Sequence, residues 1–136
     1  MASIRSLIFP LTLIGALACG EALAQVTAQF TREDLAPMFA RMRQAGWNVD
    51  GPLQWSYFFA STNVSALGEI RRELEPKGYT FATTSSHRGG VTLLQMNKVE
   101  VHSVASLDRR NQELATLAAR FSGVEYDGME ADRVGR

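Results

Sequence analysis

Leu53–Ala60 reads LQWSYFFA, and it constrains the fold more than any other stretch of this chain. Leu53, Trp55, Tyr57 and Phe59 fall on one side of an extended backbone, with Gln54, Ser56 and Phe58 on the other. Four large apolar side chains at a period of two require a sheet with a core on that side. Asp50-Gly51-Pro52 supplies the turn that starts the strand. Whatever the rest of the chain does, it must cover the face made by Leu53, Trp55, Tyr57 and Phe59.

The flanking segments provide the cover. Upstream, Thr31 is placed to cap a helix, Phe30 and Leu35 to staple its start, and Leu35, Met38, Phe39 and Met42 to form its apolar stripe. Pro37 predicts a kink or a late start, and Gly46 an end. Downstream, Thr62 or Ser61 caps a second helix running to about Glu75, with Leu67, Ile70 and Leu74 inward and Pro76 and Gly78 as its stop. Tyr79–Thr84 reads as a second strand, Ser85–Gly90 as a loop and Val91–Val101 as a third strand. The alternation slips between Met96 and Val99, which points to a bulge or break near Asn97. Ser106 is placed to cap a last helix, Leu107–Ser122, whose face carries Leu107, Leu114, Leu117, Ala118 and Phe121. Gly123 then leads into a short fourth strand, Val124–Met129, and a polar end. One helix followed by β-α-β-β-α-β is the order of an α+β, ferredoxin-like domain: an antiparallel sheet with helices on one face, preceded by an extra N-terminal helix.

The first residues address the chain rather than shape it. Arg5 lies in a short start, Leu7–Ala18 is apolar throughout, and Ala22-Leu23-Ala24 is a small-x-small cleavage pattern before Gln25. These are the three parts of a secretory signal peptide, and the apolar run is too short to span a bilayer. Residues 1–24 are therefore expected to be the signal. Residues 25–136 are expected to be a single domain: lead-in and helix 25–48, core 49–130, and a frayed tail 131–136. The expected location is the bacterial periplasm. Cys19 is the sole cysteine. It follows Ala16-Leu17-Ala18, a second small-x-small site, and would be a lipid acceptor if cleavage fell there. The usual order, leucine three before the cysteine and a small residue two before, is reversed. Lys and Arg number 14, as do Asp and Glu, and the balance survives removal of Arg5 and Glu21. A neutral chain lacks the basic surface that holds nucleic acid by its phosphates.

Leu114–Met129, LATLAARFSGVEYDGM, resembles the C-terminal part of the family of regulators of ribonuclease E activity B, the RraB family. Trp55–Ala60, the helix before Lys77-Gly78-Tyr79 and the Gly90–Met96 strand fall in the same order as in that family. The resemblance implies a ferredoxin-like domain and a non-catalytic, protein-binding role; the family's namesake binds the ribonuclease and lowers its activity. The namesake is acidic and cytosolic, whereas this chain is neutral and carries an export segment. The expectation is thus an exported domain of this family with its protein target and oligomeric state left open. A cytosolic ribonuclease E inhibitor is the alternative if the N-terminus is not a working signal.

Specific residues suggest where a partner would dock. Val124–Gly128 is either a recognition strip containing Tyr126, Asp127 and Gly128 or a strand with Val124 and Tyr126 inward and Gly128 at a turn. Phe58 lies opposite the core face and is expected to form an apolar surface with Leu94 or Met96. Such a surface must meet the N-terminal helix, another protomer or a partner. Glu125 and Asp127 share a strand face but offer too few ligands for calcium or zinc, and no cofactor site is expected. His87 and His102 read as solvated loop histidines; paired with Ser85, Ser86 or Ser103 they would suggest a small hydrolase, without a nucleophile-elbow pattern. Lys77–Phe81 partly mimics an RNA-binding strand but sits on the second strand, and an aromatic strand after a helix stop accounts for it.

Overall fold

The computed structural model describes residues 32–135. The expected signal segment, Cys19, the cap at Thr31 and the staple through Phe30 lie outside the described residues. Among the described residues seven principal elements follow in order: α1 (Arg32–Gln44), β1 (Leu53–Ser61), α2 (Val64–Leu74) with a 3-10 turn at Glu75–Lys77, β2 (Thr80–Ser86), β3 (Thr92–Glu100), α3 (Val104–Ala119) and β4 (Val124–Arg133). The four strands form one sheet in the order β2-β3-β1-β4, with every neighbouring pair antiparallel. This is the expected ferredoxin-like arrangement.

Local chemistry explains the element ends. Gly46 has φ +83°, and the bonds from Gly46 N–H to the Arg43 carbonyl and from Trp47 N–H to the Met42 carbonyl close α1 in a Schellman turn. Gly78 at φ +90° repeats it, with Tyr79 N–H bonded to the Leu74 carbonyl. The cap of α2 is Asn63, whose Oδ1 accepts the Ala66 N–H; Ser61 instead accepts the Asn63 N–H. The cap of α3 is Ser103, and Ser106 completes a reciprocal capping box with it. Both differ from the expected caps, because several adjacent Ser, Thr and Asn residues can cap and backbone geometry chooses among them. The helix α1 continues through Pro37, whose missing N–H removes a single bond near the helix start.

The core lies between the helices and one sheet face. Trp55, Tyr57 and Phe59 from β1, Leu94 and Met96 from β3, and Val124, Tyr126 and Met129 from β4 are buried there, against Leu67, Ile70, Leu107 and Leu114. Full burial of an aromatic or aliphatic side chain of this size contributes about 1.5–3 kcal/mol. The stripe Leu35, Met38, Phe39 and Met42 enters the same core, and Phe39 meets Trp55 with ring centroids 6.1 Å apart. All three described helices therefore occupy one side. The expectation of two is extended by α1, which is not available to cover the opposite face.

Three strand expectations change. The strand β3 pairs with β1 without interruption from Thr92 to Glu100, so no bulge occurs at Asn97; the slip in alternation reflects Lys98 and Glu100 on the inner face in a polar corner. The bulges fall at Ala82 in β2 and at Asp127-Gly128 in β4. The last strand runs to Arg133, so the frayed tail is shorter than expected: Leu53 of β1 pairs with Arg133.

Candidate docking face and the polar corner

The sheet face away from the helices is built by alternation from β1 outward. Gln54, Ser56, Phe58 and Ala60 lie on it, beside Val99, Asn97, Gln95 and Leu93 of β3 respectively. At its centre three polar side chains bind one another: Gln95 Nε2 donates to Ser56 Oγ at 3.1 Å and to Asn97 Oδ1 at 3.0 Å, and Ser56 Oγ donates to Asn97 Oδ1 at 2.9 Å. Next to this network sit the half-buried Phe58, Ala60 and Leu93. No described helix packs on this face.

The bulge in β4 decides what that strand contributes. Phe59 pairs with Tyr126, but Phe58 pairs with Gly128, so Asp127 is the extra residue. Gly128 adopts φ +102°, a conformation that strains any residue with a Cβ. The extra residue restores phase: Val124, Tyr126, Met129 and Ala131 face the helices, while Glu125, Glu130 and Asp132 join Asp127 on the other side. Burial, then repulsion by Glu125, push the Asp127 carboxyl up to about 6, with His87 opposing.

The expected docking residues separate on this geometry. Phe58 is on the open face as expected, but Leu94 and Met96 are not its neighbours. They are 1% and 0% exposed, on the helix side; the register sets Phe58 beside Gln95 instead. Tyr126 is 3% exposed in the core, where its hydroxyl donates to Asn111 Oδ1 at 2.6 Å, so it cannot touch a partner directly. Gly128 is a buried bulge residue. Asp127 remains on the open side. The sequence reading missed Leu93 and the acidic row of β4, both of which depend on cross-strand register.

The histidines also separate. His87 is exposed as expected, with Nε2 3.0 Å from Ser85 Oγ. His102 is 6% exposed and belongs to a polar corner, not to solvent. Glu100 organises that corner: it accepts Tyr57 Oη–H at 3.0 Å and Arg110 Nη2–H at 2.8 Å, with Lys98 Nζ at 3.4 Å. His102 Nε2 lies 3.0 Å from the same carboxylate. A carboxylate only accepts, so Nε2 carries the proton and Nδ1 faces Ser106 Oγ at 2.9 Å. Arg110 also donates to Tyr79 Oη. Burial works to raise the Glu100 carboxyl, but the bonds from His102 and Tyr57 and the charge of Arg110 outweigh it and hold it at about 2. Burial, then Glu100, push the Tyr57 phenol far above its ordinary range.

Ser106, His102 and Glu100 follow the hydrogen-bond order of a serine–histidine–acid relay. Ser106 Oγ is nevertheless committed to the helix cap, accepting the Ser103 N–H at 2.9 Å. His102 is boxed in by the edge of the Trp55 ring, at 5.4 Å between centroids. The chain of bonds ties the end of β3 to the start of α3. Among the described residues no group of three or more His, Cys, Asp or Glu is placed to hold a metal ion.

Fold and surface together define a ferredoxin-like α+β domain whose described helices cover one sheet face, with no described helix on the other. Residues 32–131 match the family model described as Regulator of ribonuclease activity B. The chain belongs to that family, which is regulatory rather than catalytic and acts by binding protein. No curated protein matches the chain.

Proposed function

We propose that this protein is an exported, non-catalytic regulator that binds another protein through the sheet face around Phe58. The supporting observation is the placement of all three described helices on the side opposite Phe58. An aromatic ring held beside Gln95 and Ala60 on a face no described helix covers is the kind of anchor that dominates protein interfaces. Family membership supports the regulatory role, and the Met1–Ala24 pattern supports export. Helices that span a membrane are absent among the described residues.

The docking half is tested by Phe58→Lys. The variant is expected to melt with the wild type, since the side chain is outside the core, and to lose partner capture from host extracts. Capture at wild-type levels refutes the docking face. The export half is tested by fractionating the host and reading the mature N-terminus by mass spectrometry. Gln25 establishes a freely exported domain, a lipidated Cys19 an anchored one. Intact Met1 in the cytosol overturns export and favours the ribonuclease itself as target.

A further inference from the structure

The charges of this neutral chain are not evenly mixed. On the helix side, carboxylates meet cations: Arg120 grips Glu73 through two bonds of 2.9 and 2.8 Å, Arg72 meets Glu69 at 2.7 Å, and Arg110 meets Glu100 at 2.8 Å. On the open face the pattern reverses. The paired strands place Glu125 and Asp132 there, with Asp127 at the bulge, while none of the open-face positions of β1, β2 or β3 is Lys or Arg. Among the described residues no lysine or arginine forms an ion pair with Glu125, Asp127 or Asp132. The row follows a ten-residue strand that ends the sheet order β2-β3-β1-β4, so one of its edges faces no described strand. Phe58 lies beside it, paired across from Gly128.

We infer that the occupant of this face is an extended, lysine- or arginine-bearing segment of a partner protein, added along β4. Its cationic side chains lie over Glu125, Asp127 and Asp132, and an apolar residue rests on Phe58. Alternate residues of an added strand share a face and are spaced about 6.6–6.8 Å apart, so cations opposite Glu125 and Asp132 share the open face with an apolar residue opposite Gly128, the position beside Phe58. This deepens the docking reading and rests on it: the open face supplies the place, and the unbalanced charge supplies the sign of the partner. The steering it provides falls with salt.

The test uses the full chain and two short fluorescein-labelled peptides with threonine at every second position, one carrying lysines on either side of a central leucine at the remaining positions and one carrying glutamates in place of the lysines. Anisotropy is read at low and high salt, and amide exchange of β4 is followed by mass spectrometry. The expected result is binding of the lysine peptide alone, weakened by salt, with new protection along β4. Three exposed ion pairs together are worth about tenfold in affinity, so the Glu125→Gln, Asp127→Asn, Asp132→Asn triple variant is expected to bind about tenfold more weakly while melting no lower than the wild type. Phe58→Ser is expected to weaken binding at every salt concentration. If Phe58→Ser weakens binding but the triple variant does not, the open face stands and the basic partner is overturned. Equal binding of both peptides also overturns the basic partner. Unchanged binding in both variants overturns both. No binding by the wild type, with self-association of the triple variant, overturns the inference and assigns the row to guarding a free sheet edge.

Discussion

Replacing Glu100 by Gln tests whether the polar corner locks β3 to α3. The side chain keeps its shape and loses its charge. In the wild type one carboxylate oxygen receives Tyr57 and His102, and the other receives Arg110 with Lys98 nearby. An amide has one oxygen, so its NH2 group must face donors on one side or the other. The variant therefore loses charge assistance to Arg110, which is only 21% exposed, and sets donor against donor. Hydrogen bonds to charged groups contribute about 1.5–3 kcal/mol each, partly offset by the cost of burying the carboxylate, giving an expected loss of about 2–3 kcal/mol. The pH dependence carries a definite sign. A carboxyl held at about 2 stabilises the fold fully above its ordinary value of 4.5 and loses that contribution as pH falls through 2. The gap between wild type and Glu100→Gln is thus expected to be full at pH 7 and to shrink to less than half at pH 3. Urea unfolding followed by circular dichroism at both pH values measures it. A gap under about 0.5 kcal/mol at pH 7, the size of an ordinary surface substitution, would refute the lock, as would an equal gap at both pH values.

Other consequences are simpler. Asp127, with its carboxyl raised from 3.8 to about 6, is a burden that is absent below 3.8 and complete above 6; Asp127→Asn is expected to raise stability at pH 7 by about 1 kcal/mol after solvent screening and leave it unchanged at pH 3, checked by paired thermal melts. Leu94→Ala is expected to cost about 2–5 kcal/mol because Leu94 is in the core, whereas Leu93→Ala on the open face costs under about 1 kcal/mol; equal losses in denaturant unfolding would mean the register is wrong. Ser103→Ala removes the acceptor for the Ser106 N–H and is expected to cost about 1 kcal/mol, with faster amide exchange confined to the first turn of α3.

Much of the fold was legible because it rests on local patterns. The alternation of Leu53–Phe59 named the core face of β1, and helical spacing named Leu67, Ile70 and Leu74 in α2. Gly46 and Gly78 announced two helix ends because their positive φ angles suit glycine. What was not legible depends on cross-strand partners. Phe58 was visible, but its neighbours were not: a one-residue difference in register exchanges Leu93 for Leu94 and moves a leucine from the surface to the core. His102 read as a loop residue because nothing local says that Tyr57, 45 residues earlier, stands 3.1 Å from its ring.

Charge shows the same limit in a form that bears on function. Equal numbers of acidic and basic residues argue against a phosphate-binding surface, and that argument uses only a total. A total cannot distinguish mixed charges from segregated ones. In Glu125–Asp132 the two are separated by the single bulge at Asp127: if the same residues paired in regular alternation with no bulge, Glu130 and Asp132 would be out of phase with Glu125 and turn toward the helices. The bulge, by taking one residue out of the ladder, therefore sets Glu125 and Asp132 on one face and keeps Tyr126 and Met129 in the core. The bulge in β4 thus links the packing of this family fold to the surface from which a partner would be chosen.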